Sequence, residues 1–281
     1  MMYKHRIYVA FELLTRGFNK LRGLKEDKCI LPGEQFYAQV YNNYLEKYVS
    51  SIIRSHSSKN ILDVGCGTGR FTIDLATNGH NVTGIDYHKD SIEFAKQKSS
   101  EKGVSVEFLC GDAKDLIESL PKNHFDLVLC LEMLLVSPYY KEIMQMMKEV
   151  ISPGGYLVCS HRTKKYWILL LLSQGHYKAA IKVANSSEGL IPKKDIPIYY
   201  NWQTIAELKL LYNKLEFELL GLHPIGMFSG IGIDALSKIA NPETMSESNR
   251  QTLLELETTY LEDYVGAGRY TLAIARKSTI K

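Results

Sequence analysis

Ile61-Leu62-Asp63-Val64-Gly65-Cys66-Gly67-Thr68-Gly69-Arg70 is the stretch that decides the fold. An apolar strand runs into three closely spaced glycines, and an amphipathic segment follows. Glycines at such a turn let the backbone reverse sharply and let a ligand approach the main chain. A dinucleotide fingerprint, G-x-G-x-x-G, needs its third glycine at position 70. Arg70 stands there, and the third glycine comes one residue early, at Gly69. Asp63, two residues before the first glycine, would repel a pyrophosphate but suits a cationic ammonium, directly or through water. The loop therefore favours a nucleoside that carries a positive amino-acid tail and no phosphate.

Outward from the loop, short apolar runs alternate with amphipathic helices. Strands are expected at 60–64, 81–86, 105–110, 125–131 and 156–160, with helices at 70–78, 90–102 and 140–151 between them. Ser152-Pro153-Gly154-Gly155 reads as a turn before the fifth strand. This alternation predicts right-handed crossovers and a parallel, doubly wound α/β sheet. A helix at 204–215, a strand at 217–223, a helix near 248–264 and a last strand at 269–276 follow. The Pro192/Pro197 segment cannot continue a helix. Residues 1–57 read as helices broken at Leu31-Pro32-Gly33. The expected organisation is a helical N-terminal cap over 1–57 and a ligand-binding domain over 58–281, with cap insertions at about 164–200 and 227–266.

Asp86 ends the second strand, seventeen residues after Gly69, where a carboxylate can accept both ribose hydroxyls. Tyr87 follows and can pack along the ribose or base. Cys110-Gly111-Asp112-Ala113 ends the third strand, where an acid can accept an adenine amino group. The fourth strand delivers Leu131, Glu132 and Met133 to the same crevice, at the carboxyl ends where open α/β sheets bind ligands.

Together these residues resemble the class I S-adenosylmethionine (SAM)-dependent methyltransferase family, in particular its small-molecule branch. Asp-Val-Gly-Cys-Gly-Thr-Gly carries most of the resemblance. The acid after the second strand, Gly-Asp-Ala after the third and Pro-Gly-Gly before the fifth add to it, over about residues 58–160. The resemblance implies a Rossmann-like seven-stranded sheet of order 3-2-1-4-5-7-6, with strand seven antiparallel. It implies SAM as cofactor and S-adenosylhomocysteine (SAH) as product. It also implies Asp63, Gly65, Gly67 and Gly69 on the methionine side, Asp86 on the ribose and Asp112 on the adenine; Cys66, Tyr87, Gly111, Ala113 and Leu131 beside them complete the expected cofactor site. Residues 1–57 and the two insertions match no signature, and such regions determine the acceptor.

Methyl transfer needs alignment more than acid–base help, because the cofactor carries the reactivity. Candidate catalytic groups are His161 and Arg162, directly after the fifth strand, and Glu132 after the fourth. His161 can take a proton, Arg162 can fork onto a carboxylate or phosphate, and Glu132 can act as a base or anchor the methionine end. Tyr37 and Tyr41, one helical turn apart with Tyr44 beyond, are candidate substrate contacts, for which a core role fits equally; Tyr200 and Trp202 in the first insertion are further candidates, as an aromatic wall.

Composition narrows the partners. The 281 residues are 45% hydrophobic and 23% charged, with net charge +3. That is ordinary for a soluble domain and lacks the concentrated basic face of a nucleic-acid binder. A small-molecule acceptor is therefore expected, with an RNA methyltransferase or a non-catalytic SAM-binding protein as alternatives. The five cysteines form no C-x-x-C pair and suggest a reducing, cytoplasmic setting. The eight histidines show no metal-ligand spacing, so no metal is expected. Tyr3, Ile7, Phe11, Leu14, Phe18 and Leu21 recur at helical spacing among basic residues. Residues 1–23 are thus either a helix packed on the enzyme or a peripheral membrane contact, the former being the commoner fate of such helices.

Overall fold

The computed structural model describes residues 32–193, 196–232, 234–259 and 264–279. The amphipathic stretch 1–23 and Cys29 lie outside the described residues. The described residues open with helix α1 (Pro32–Ile53), whose first residue is a proline, at the position where a missing N–H costs nothing. Then come β1 (Asn60–Val64), α2 (Thr72–Thr77), β2 (Asn81–Asp86), α3 (Lys89–Glu101), β3 (Glu107–Cys110), α4 (Ala113–Ser119), β4 (Phe125–Cys130), α5 (Tyr140–Val150) and β5 (Ile151–His161). Helices α6 (Lys164–Ser173) and α7 (Tyr177–Ala184) follow, and then a hairpin of β6 (Glu188–Lys193) and β7 (Ile196–Asn201). Helix α8 (Ile205–Lys214), β8 (Phe217–Ile225), α9 (Glu247–Thr259) and β9 (Tyr270–Lys277) complete the chain.

The main sheet has the order β3-β2-β1-β4-β5-β9-β8. β1 to β5 pair in parallel, and β9 runs antiparallel to both β5 and β8. This is the expected seven-stranded order, with β8 and β9 as its sixth and seventh strands. Period-two alternation divides each central strand between two cores. Ile61, Leu127, Leu129, Val158, Leu272 and Ile274 face α1, which buries Phe36, Tyr37, Val40, Tyr41, Tyr44, Leu45 and Val49 against them. Leu62, Val64, Val128, Leu157, Ala273 and Ala275 face the other way, onto Ile143, Met144 and Met147 of α5 and Tyr212 of α8. Helix α1 therefore shares the core of the sheet.

Three local readings differ from expectation. Ser152-Pro153-Gly154-Gly155 does not precede β5 but lies within it. The pairing jumps there from Phe125↔Ile151 to Leu127↔Tyr156, and Gly154 takes φ +78°. The segment holding Pro192 and Pro197 is a hairpin, with the two prolines opposite one another. A two-stranded ribbon consists only of edges, where proline is tolerated. Helix α2 is shorter than the periodicity suggested, because the chain turns through residues 69–71 before the helix begins.

Candidate active site

The carboxyl ends of β1 to β4 meet around a crevice of about 450 Å³. The loop after β1 takes left-handed backbone at Gly65 (φ +82°), Gly67 (φ +54°) and Gly69 (φ +83°). The N–H groups of Gly65 and Cys66 both donate to the carbonyl of Ile85, at 2.7 and 3.0 Å, which ties the loop to β2. The three glycines serve different ends. A Cβ at Gly65 would lie 2.7 Å from Cβ of Met133, and one at Gly69 would lie 2.7 Å from Cδ1 of Ile73. A Cβ at Gly67 would meet nothing within 4 Å. Gly67 thus presents bare backbone to the crevice, whereas Gly69 allows close packing behind it.

Two carboxylates stand at the neighbouring strand ends. Asp86 accepts hydrogen bonds from the Gly67 N–H at 2.9 Å and the His88 N–H at 2.8 Å, one on each oxygen. Asp112 caps α4 by accepting from the Lys114 N–H at 2.9 Å through Oδ1. The backbone thereby fixes both acids, while lone pairs remain for a ligand. Gly65, Cys66, Gly67, Asp86, Tyr87, Gly111, Asp112, Ala113, Leu131 and Glu132 all line the crevice.

Asp63 and Gly69, also expected to line it, do not. Asp63 is buried beneath the loop and accepts a 2.6 Å hydrogen bond from the Thr72 hydroxyl. Burial pushes its pKa up to about 6, against the opposing pull of Thr72 and Arg70. Its side chain alternates to the α1 side of β1, where it braces the loop through Thr72.

Arg70 is the group the motif reading passed over. It lines the crevice with Glu34 of α1. Its guanidinium donates to Glu34 at 3.0 Å and pairs with Glu132 at 3.7 Å. No local pattern links residues 34, 70 and 132; only the packing of α1 on the sheet brings them together. Glu132 has φ +62°, a conformation few non-glycine residues adopt and one that clusters at functional sites. Its N–H donates to the Ser160 hydroxyl at 2.6 Å, and its carboxylate accepts from the Tyr270 hydroxyl at 3.2 Å. Burial alone would raise its pKa. Arg70, Arg269 and Arg162 outweigh that and hold the carboxyl below the usual range.

His161 does not face the crevice. It ends β5 on the side of Cys159, not of Ser160, and its Nε2 pairs with the Tyr212 hydroxyl of α8 at 2.9 Å. Burial lowers its pKa to about 4. An imidazole turned away from the crevice and held by Tyr212 is not placed to take a proton from an acceptor there. Strand alternation places Arg162, by contrast, on the side of Glu132, where its guanidinium donates to the Tyr270 hydroxyl at 3.1 Å.

The aromatic candidates also separate. Tyr37 is buried, hydrogen-bonded to Ser229 at 3.0 Å, with Arg269 over its ring at 4.9 Å. Tyr41 packs edge-on to Phe71, and burial together with the nearby Glu132 charge pushes its pKa well up. Trp202 is wholly buried in the core under the hairpin and donates to the Ser186 carbonyl at 2.7 Å, so it is a core residue. Tyr200 is partly exposed and lies against Trp167, with ring centroids 4.6 Å apart. Of the cysteines in apolar runs, Cys130 and Cys159 are buried, whereas Cys110 is exposed.

Residues 55–209, more than half of the chain, match the family model described as a methyltransferase domain. The chain belongs to the class I SAM-dependent methyltransferase family. Two relatives of this chain are ubiquinone biosynthesis O-methyltransferases. That of Chromobacterium violaceum is 35% identical over 120 residues, 42% of this chain and 51% of its own length. That of Actinobacillus pleuropneumoniae is 29% identical over 168 residues, 58% of this chain and 70% of its own length. The chain thus spans about half the length of the first of these relatives. The fold also superposes on magnesium protoporphyrin IX methyltransferase from Synechocystis with bound SAH. The TM-score is 0.60 at 16% identity, covering 96% of this chain and 98% of that one. The methyltransferase of Burkholderia thailandensis that carries 1,6-didemethyltoxoflavin and SAH gives 0.58 at 15% identity, covering 98% and 90%. Among the described residues no helix is long and apolar enough to cross a membrane, and no cluster of His, Cys, Asp or Glu could hold a metal ion.

Proposed function

We propose that this chain transfers the methyl group of SAM to a small-molecule acceptor. The observation that carries the proposal is the crevice itself: bare Gly67 backbone, two backbone-anchored carboxylates at successive strand ends, and a mixed-charge group at the loop. Asp86 would hold the ribose hydroxyls and the free oxygen of Asp112 the adenine amino group, with Tyr87, Ala113 and Leu131 along the rings. Arg70 between Glu34 and Glu132 offers both signs of charge, which suits the zwitterionic head of a methionine moiety. A pyrophosphate would instead meet Asp86 and Glu132.

SAM supplies a methyl group activated on a sulfonium. The chain's own residues hold the two reactants in line and exclude water, and orientation of that kind can lower a barrier by up to about 7–11 kcal/mol. The cap proposed for this task consists of residues 1–57 with the insertions at about 164–200 and 227–266. One tie docks the first insertion on the sheet, and another folds the second insertion on itself. Asn201 of β7 donates to the Leu134 carbonyl at 2.7 Å, which docks the hairpin on the loop after β4. Glu257 of α9 accepts from the N–H groups of Met227 and Phe228, at 2.9 and 3.0 Å, and from the Ser229 hydroxyl. An enclosed site of this kind favours a small acceptor over a nucleic acid. The thiols of Cys66, Cys130 and Cys159, free and buried, support a reducing, cytoplasmic setting.

Incubating the protein with methyl-labelled SAM and a small-molecule metabolite extract tests this reading. A labelled product one methyl group heavier than an extract component is expected, with SAH released. Label transfer that needs added RNA, or none at all from a protein that binds SAM, would overturn it.

A further inference from the structure

Three arginines surround Glu132, and two have carboxylate partners. Arg70 is held by Glu34 and Glu132, and Arg269 by Asp234 at 3.5 Å. Arg162 has no carboxylate within 4 Å among the described residues. Its one hydrogen bond is to the Tyr270 hydroxyl, although a guanidinium has five N–H donors, and its buried Nε is without a partner. Three aromatic rings enclose it instead: Tyr270 at 4.6 Å, Tyr166 at 4.7 Å and Trp167 at 5.5 Å from Cζ. Cation–π attraction to these rings offsets part of the desolvation, but it leaves most of the in-plane donors unused. Those donors match a carboxylate, which accepts two parallel N–H bonds.

The position relates this group to the chemistry. Arg162 bonds Tyr270, and Tyr270 bonds Glu132, which lines the crevice. The partly exposed Tyr200, tilted at 57° against Trp167, extends the aromatic wall. Resting on the function proposed above, we infer that Arg162 anchors the acceptor, which is a planar aromatic molecule bearing a carboxylate. The partly exposed ring of Tyr200 packs along its plane, while the buried rings of Tyr166, Trp167 and Tyr270 hold the guanidinium in place. An oxyanion locked in a guanidinium fork is a poor nucleophile, so the methyl group goes to a second atom of the acceptor, on the side of Glu132. Arg162 is thus a specificity-determining residue.

The test uses the full chain with saturating SAH, and benzoate and 4-hydroxybenzoate as probes against their uncharged amides. Binding is read by calorimetry and by tryptophan fluorescence, to which Trp167 and Trp202 both contribute. The wild type is expected to bind the carboxylates at least about tenfold more tightly than the amides, the ratio that one charge-assisted hydrogen bond supplies. Arg162→Gln should abolish that preference and leave SAH affinity unchanged. Arg162→Lys, which keeps the charge but not the fork, should retain only part of it and serves if the Gln variant does not fold. Equal binding of carboxylate and amide by the wild type, no binding of either, or a preference that survives Arg162→Gln would overturn the inference. Failure of the wild type to bind SAH would instead strike the proposed function.

Discussion

Asp86→Ala is expected to weaken SAH binding roughly 10- to 150-fold, from the ~1.5–3 kcal/mol that a hydrogen bond to a charged group contributes. The carboxylate ends β2 with its two oxygens fixed by the N–H groups of Gly67 and His88. Removing it takes away the acceptor for the ribose hydroxyls and also frees the glycine loop at Gly67. Both effects act on the ligand and not on the core, since Asp86 lies at the mouth of the crevice. The fold should therefore survive, as circular dichroism and the urea midpoint would show. A folded variant that binds SAH as tightly as the wild type would mean that β2 does not carry the ribose site.

Glu132→Gln should cost about 2–4 kcal/mol of stability. Loss of one partner from a buried ion pair typically costs ~3–5 kcal/mol, reduced here because the side chain keeps 28% of its exposure. The substitution preserves shape and the hydrogen bond from Tyr270, but it leaves Arg70, Arg162 and Arg269 without the charge that all three face. Chemical denaturation reads the effect as a lower midpoint at unchanged slope. A shift corresponding to less than about 0.5 kcal/mol, the size usual for a neutral surface change, would show that Glu132 is not the hub of the cluster.

Much of the sheet was legible because its signals are local. Period-two burial marks the strands, and glycines at 65 and 67 mark a turn that needs positive φ and close approach. Asp86 and Asp112 were legible because each follows directly on its strand. The hairpin of β6 and β7 was not, since prolines at 192 and 197 argue against a strand wherever a second partner is required. The side that His161 faces depends on register along β5, and an irregularity around residues 152–155 makes counting from the preceding turn unsafe. The Glu34–Arg70–Glu132 bridge joins residues from α1, the glycine loop and the end of β4. Such long-range charge pairing has no sequence spacing to betray it. Trp202 shows the opposite error: an aromatic beside a tyrosine pair suggested a ligand wall, yet the hairpin needs a core of its own.

A crevice of this make-up is expected to take a nucleoside with a zwitterionic tail and to reject a pyrophosphate. Calorimetric titration of the full chain with SAM, SAH and NAD under one set of conditions addresses this most directly. One-to-one binding of SAM and SAH, with no measurable heat from NAD, is the predicted result. Saturable binding of NAD without binding of SAM or SAH would contradict it.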